Sequence, residues 1–145
     1  MPLLTAVVSL LTMLLGPGTD PECYALGGLD VARAEALANV DLTALRAVYA
    51  SRAAAVTDER VLKRYAARGF RIVGGGMVRE ECRAVARAGR RVELDVTERL
   101  APALAVDETG RIRRLPRDRF TRHRVVLVRG DDDWQIGYTV GVSVR

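Results

Sequence analysis

The chain has few of the residues that most often carry chemistry. One histidine, His123, two cysteines, Cys23 and Cys82, and one lysine, Lys63, stand among 145 residues. The Cys and His residues are too few and too widely spaced for a zinc-ligand set, so neither a metal nor a cofactor is expected. Aromatic residues make up 5% of the chain and do not interleave with the arginines. That excludes the stacking platform of a single-strand binder, and no nucleic-acid partner is expected. Leu3 to Leu15 is an uncharged run of 13 residues, broken by Gly16-Pro17-Gly18. As a helix it would span about 20 Å against a hydrocarbon core of about 30 Å, so no membrane-spanning helix is expected. Internal repeats and low-complexity stretches are absent, which excludes a solenoid.

What is present fits one domain. Apolar residues reach 49% and charged residues 28%, which excludes a disordered chain. At this length a single core buries roughly two thirds of the unfolded surface. The net charge of +5 is uneven: residues 1–69 carry 7 basic and 7 acidic side chains, and residues 70–145 carry 16 and 11. Arg–Glu and Arg–Asp pairs across a solvated sheet face are the expected reason for the basic second half.

The Leu3–Leu15 run has the length of a signal-peptide core. No basic residue precedes it and no Ala-x-Ala follows it, so a buried core helix is the alternative. The expected organisation is a signal peptide or hydrophobic segment over residues 1–20 and one domain over 21–145. Export to the cell envelope or medium makes a Cys23–Cys82 disulfide the natural reading. A cytoplasmic chain with two reduced thiols is the alternative.

Leu29, Ala32, Ala36, Leu37 and Val40 recur at helical spacing, predicting a helix from Leu29 to about Asn39. Asp41 suits the N-cap of a second, short helix with Leu42, Leu45, Val48 and Tyr49 as its apolar stripe. Thr57 is expected to cap a third, with Asp58 and Glu59 in its first turn and Gly69 as its stop. After Gly69 the period becomes two. Strands are expected over Met77–Arg87, Arg91–Val106, Arg111–Leu115, Arg119–Arg129 and Trp134–Val142, with Gly74-Gly75-Gly76 as a bend. Alternation puts Cys82, Ala84 and Ala86 inward and Arg79, Glu81, Arg83 and Arg87 outward. Val92, Leu94, Val96, Leu100, Leu104 and Val106 share an inner face, as do Trp134, Ile136, Tyr138 and Val140. Thr121, His123, Val125 and Leu127 are read as inward, with Phe120, Val126 and Val128 outward.

Three helices followed by a curved antiparallel sheet, an α+β arrangement, resemble the nuclear transport factor 2-like superfamily with its cystatin-like cone fold. The residues that carry the resemblance are Ala38-Asn39-Val40-Asp41-Leu42-Thr43-Ala44-Leu45, then Val48-Tyr49, and the terminal Asp133-Trp134-Gln135-Ile136. Tyr65-Ala66-Ala67-Arg68-Gly69, Thr97-Glu98-Arg99-Leu100 and Arg124-Val125-Val126-Leu127-Val128-Arg129 are similar to phrases in exported actinobacterial members of unassigned function. The resemblance spans about residues 28–142. It implies a pocket between the concave sheet face and the helices, which serves isomerases, dehydratases and cyclases in some members and only binding in others.

Glu98 is the one carboxylate on an otherwise apolar strand face. With His123 inward on the next long strand, the two are candidates for one acid–base site, and Tyr49, Tyr65 or Tyr138 for donors to a developing oxyanion. A structural Glu–His or Glu–Arg hydrogen bond is the competing reading. Trp134 completes the candidate pocket lining. The expected function is therefore an exported binding domain whose partner is a protein, a small apolar ligand or a second copy paired through the sheet. A small pocket enzyme using Glu98 is the alternative.

Overall fold

The computed structural model describes residues 19–141. The Leu3–Leu15 run and Val142 lie outside the described residues. Helix α1 spans Pro21–Ala38, α2 Leu42–Ala47 and α3 Arg52–Ala66. Pro21 opens α1, where its missing N–H has no partner to lose, and Glu22 lies in the first turn. The helix thus begins eight residues before the expected Leu29, and Gly27-Gly28 sits inside it. Its buried side chains Cys23, Leu26, Asp30 and Leu37 form one stripe. Asp41 caps α2 as expected, its Oδ1 accepting from the Ala44 amide at 2.9 Å. Ser51, rather than Thr57, caps α3, accepting from the Ala54 amide at 3.1 Å. Thr57 lies in the helix interior, and Asp58 and Glu59 sit mid-helix, where they reach neighbouring helices. Glu59 accepts from Arg46 on α2 and from Lys63, which together pull its carboxyl down to about 2.

The strands are β1 Phe70–Gly74, β2 Met77–Ala88, β3 Arg91–Leu100, β4 Ala103–Asp107, β5 Ile112–Arg114, β6 Thr121–Arg129 and β7 Trp134–Gly141. They form two antiparallel sheets, one ordered β1-β4-β5 and the other β2-β3-β6-β7. The single strand expected over Arg91–Val106 is two strands in different sheets, separated at Ala101-Pro102. Gly74 marks the matching crossover in the adjacent chain segment. Its φ is +79°, and a methyl group on its Cα would stand 2.8 Å from the Pro102 carbonyl oxygen, so only glycine fits. Across this junction the inner face changes parity: Ala105 is fully buried, whereas Leu104 and Val106 are half-buried.

Three inserted residues re-aim the large sheet. The β2–β3 register skips Glu80 and Val85, and the β6–β7 register skips Gly137. Arg79 and Arg87 therefore turn to the helix side instead of outward, and Ala86 pairs with Glu93 on the outer side. Beyond Gly137, Tyr138 and Val140 turn away from the core and are about half exposed. Val126, expected outward and available to a second copy, is buried within the chain at 2% exposure.

Two apolar clusters hold the layers together. Leu26 and Val48 pack with Val92, Leu94, Leu127 and Ile136 between α1 and the large sheet. Leu37, Leu45 and Leu62 pack on Ile72 of the small sheet. Cys23 and Cys82 form a disulfide that ties the first turn of α1 to β2. On the outer face Asp95 accepts from Arg122 and Arg83, and Glu93 from Arg124, the expected cross-strand pairing.

Candidate functional site

A carboxylate on an apolar strand face is tolerated only if its oxygens find donors. Glu98, on the inner face of β3, is 5% exposed and has two. The bulge at Glu80 turns Arg79 inward directly opposite it, and Arg79 Nη2 donates to Glu98 Oε2 at 2.5 Å. From β6, His123 Nε2 lies 2.8 Å from Glu98 Oε1. Facing a carboxylate that already accepts from Arg79, Nε2 carries the proton, and Nδ1 has no partner among the described residues. The same Arg79 nitrogen donates to Asp30 Oδ2 of α1 at 2.6 Å. One guanidinium thus serves two buried carboxylates. Burial, to which the Glu98 charge adds, holds the Asp30 carboxyl above its ordinary value despite Arg79.

A second network lies across the cavity. Asp58 accepts from Arg33 of α1 through both oxygens and from the Tyr49 hydroxyl. Burial opposes the Asp58 charge, but these donors outweigh it and leave the carboxyl below its ordinary value. Burial and then the Asp58 charge push the Tyr49 phenol well above its own.

Between the networks is a cavity of about 290 Å³. Leu26, Met77, Leu100, Val125 and Ile136 supply its apolar wall, and Thr121, Thr139 and the Nδ1 side of His123 its uncommitted polar groups. Glu98, His123 and Tyr49 meet there. The other sequence candidates lie elsewhere. Tyr65 packs beside the small-sheet cluster. Trp134 lies under the Arg129 guanidinium, 5.5 Å from its ring centre, and faces a separate surface cleft. Tyr138 is on the outer face, where its hydroxyl accepts from Arg91 at 2.5 Å.

Sequence reasoning missed Asp30, Arg33, Asp58 and Arg79. The signal for Asp30 was its position four residues after Leu26 on the buried stripe, legible only once α1 starts at Pro21. Arg79 carried no such signal, because its direction depends on the bulge beside it.

No protein-family model matches the chain, and no curated protein is similar to it in sequence. Among solved structures, the intermembrane space region of chloroplast protein ARC6 is 13% identical with a TM-score of 0.56, covering 88% of this chain and 100% of that one. A proposed dehydratase of the NTF2-like family from Streptomyces avermitilis is 14% identical, with a TM-score of 0.49 and coverage of 87% and 100%. A proposed aromatic ring hydroxylase from Novosphingobium aromaticivorans is 12% identical, with a TM-score of 0.49 and coverage of 83% and 89%. At 13% identity the likeness to the ARC6 region speaks to fold and not to activity. Three helices packed against antiparallel sheets make this chain an α+β protein, and its fold is like that of the ARC6 region.

Proposed function

We propose that this chain is an exported, disulfide-linked binding domain that holds a small ligand in its cone rather than transforming it. One observation carries this reading. The two most strongly held carboxylates at the cavity, Glu98 and Asp58, have every oxygen engaged by Arg79, His123, Arg33 or Tyr49. Each oxygen is thus already aimed at a protein donor, and a substrate proton would have to compete with those donors for the acceptor capacity that is left. What the cavity does offer is an apolar wall with hydroxyls at its rim, the makings of a small-molecule site. The disulfide favours an oxidising compartment and so supports export. The phrases similar to those of exported actinobacterial proteins point the same way. No helix among the described residues is long and apolar enough to cross a membrane.

The test is a titration with 1-hexanol followed by the methyl NMR signals of Ile136, Leu26 and Val125. Saturable shifts are expected in the parent protein and none in Thr139→Trp, which plugs the rim without touching the core. Unsaturable or absent shifts in the parent would refute a cone ligand.

A second reading, acid–base catalysis, is favoured by one feature: Glu98 orients His123 through Nε2 and leaves Nδ1 free at the cavity. It requires the protein to accelerate α-proton exchange of cyclohexanone in D2O and His123→Gln to abolish that acceleration. The binding reading expects no acceleration in either.

A further inference from the structure

The outer-face ion pairs account for only part of the basic second half. Arg122 and Arg124 are paired, as is Arg111, which reaches Asp107. Arg99, Arg117 and Arg119 have no ion-pair partner among the described residues. These three meet in one cleft of about 580 Å³, where the end of β3 and Pro102 face the 116–120 segment leading into β6. The only acid in its lining is Asp118, which would ordinarily neutralise its flanking arginines. Instead Asp118 Oδ2 accepts from the Leu100 amide at 2.7 Å and Oδ1 from the Arg119 amide at 2.9 Å. The carboxylate is spent on fixing the segment against β3, with Arg117 and Arg119 on either side of it. Arg99 is oriented separately, its guanidinium 5.1 Å from the Phe120 ring centre. Stacking on a ring face leaves the guanidinium edge, with its N–H groups, for an acceptor. Three guanidiniums against one carboxylate leave two positive charges in excess.

The cleft also adjoins the cone. Leu100 and Asp118 line both the arginine cleft and the 290 Å³ cavity. A molecule lying across them would place its charged end among the arginines and its body against Met77, Val125 and Ile136.

We infer that Arg99, Arg117 and Arg119 form an anion site at the mouth of the cone, and that the ligand is a small amphiphile with a phosphate or carboxylate head and a compact apolar body. The head contact stands on the cleft alone. The placement of the body rests on the cone-binding reading above. Guanidinium forks match tetrahedral and planar oxyanions through paired N–H donors, so the head is held by direction as well as by charge.

The test uses inorganic phosphate, n-hexyl phosphate and 1-hexanol at constant ionic strength, following the arginine side-chain N–H and the cavity methyl NMR signals. Inorganic phosphate is expected to shift Arg99, Arg117 and Arg119, and hexyl phosphate to shift both sets while binding at least about tenfold more tightly. The Arg117→Ser/Arg119→Ser variant is expected to lose about tenfold or more in affinity for hexyl phosphate and none for hexanol. Arg52→Ser/Arg60→Ser, which removes the same charge from exposed positions on α3, is the control and is expected to leave hexyl phosphate binding unchanged. Equal losses in both double variants would reduce the effect to net charge and overturn the site. Absence of arginine shifts with either anion would overturn it as well. Tighter binding of a single-stranded oligonucleotide than of hexyl phosphate would overturn the small-ligand class. If hexanol leaves the methyls unmoved while both anions move the arginines with equal affinity, the cone reading and the composite ligand fall, and the anion site alone stands.

Discussion

Glu98 and Asp30 share one nitrogen of Arg79, whereas Asp58 has Arg33 to itself. This difference in supply sets what each carboxylate contributes. Removing Glu98 leaves Arg79 with only Asp30 and strips His123 of its partner. Arg79 keeps Asp30, so the cost is that of hydrogen bonds lost from buried donors, and Glu98→Ala is expected to lose about 1–3 kcal/mol of stability in urea denaturation. The two aspartates are expected to respond to pH with opposite sign. The Asp58 carboxyl lies below its ordinary 3.8 in the folded protein, so its contribution is present above that value and disappears as pH falls through the folded one. The stability difference between parent and Asp58→Asn should therefore grow in favour of the parent as pH rises through this acidic range. Asp30 is raised above 3.8, so the folded protein holds that proton more firmly than the unfolded chain. The difference between parent and Asp30→Asn should instead decline as pH rises from 3.8 through the folded value and then level off. Urea midpoints measured from pH 2.5 to 7 check both signs. Parallel trends in the two variants would contradict the unequal sharing of Arg79 and Arg33.

The elements depend on a few backbone positions. Gly27 lies inside α1, and a methyl group there would meet nothing within 4 Å. Gly27→Ala is expected to raise stability by up to about 1 kcal/mol, the usual difference between the two residues in a helix. Gly74 is the opposite case. Its left-handed backbone and the nearby Pro102 carbonyl make Gly74→Ala a loss of about 2 kcal/mol or more. Thermal unfolding of the two variants separates the effects by sign. The same contrast explains what was legible at this scale. The Asp41 cap could be read because the cap and the amide it serves are three residues apart. The start of α1 could not, because Gly27-Gly28 weakens the local helical signal while the Cys23 disulfide and the Arg87 pairs to Asp20 and Glu22 hold the first turns from outside the helix. The face of Arg79, Arg87 and Tyr138 was misread for a related reason. A bulge is a relation between two strands, and Glu80, Val85 and Gly137 do not announce one by their own residue types.

In the whole molecule the disulfide spans 59 residues and links the helical layer to the large sheet. Loop closure of that length is worth about 4 kcal/mol on chain-entropy grounds. Reduction, or replacement of Cys23 and Cys82 by serine, is expected to lower the urea midpoint by a corresponding amount while leaving the cone fold in place. An unchanged midpoint would mean that the layers are held by the two apolar clusters alone.

The residues by themselves determined the α+β class, the helix-then-strand order, the inner faces of β3 and β6, the pairing of Cys23 with Cys82 as the natural reading, and the conjunction of Glu98 with His123. The cysteine pairing follows from the count of two and the expectation of export; the others follow from period, from capping chemistry or from a polar residue standing out on an apolar face, signals that act over a few neighbours. Only the tertiary structure decided that the 91–106 segment divides between two sheets, that Arg79 turns inward to serve both Asp30 and Glu98, and that three arginines with no ion-pair partner among the described residues gather beside the cone. Asp30 and Arg79 are 49 residues apart. Their meeting depends on helix length, strand register and an inserted residue acting together, and no local preference encodes such a sum.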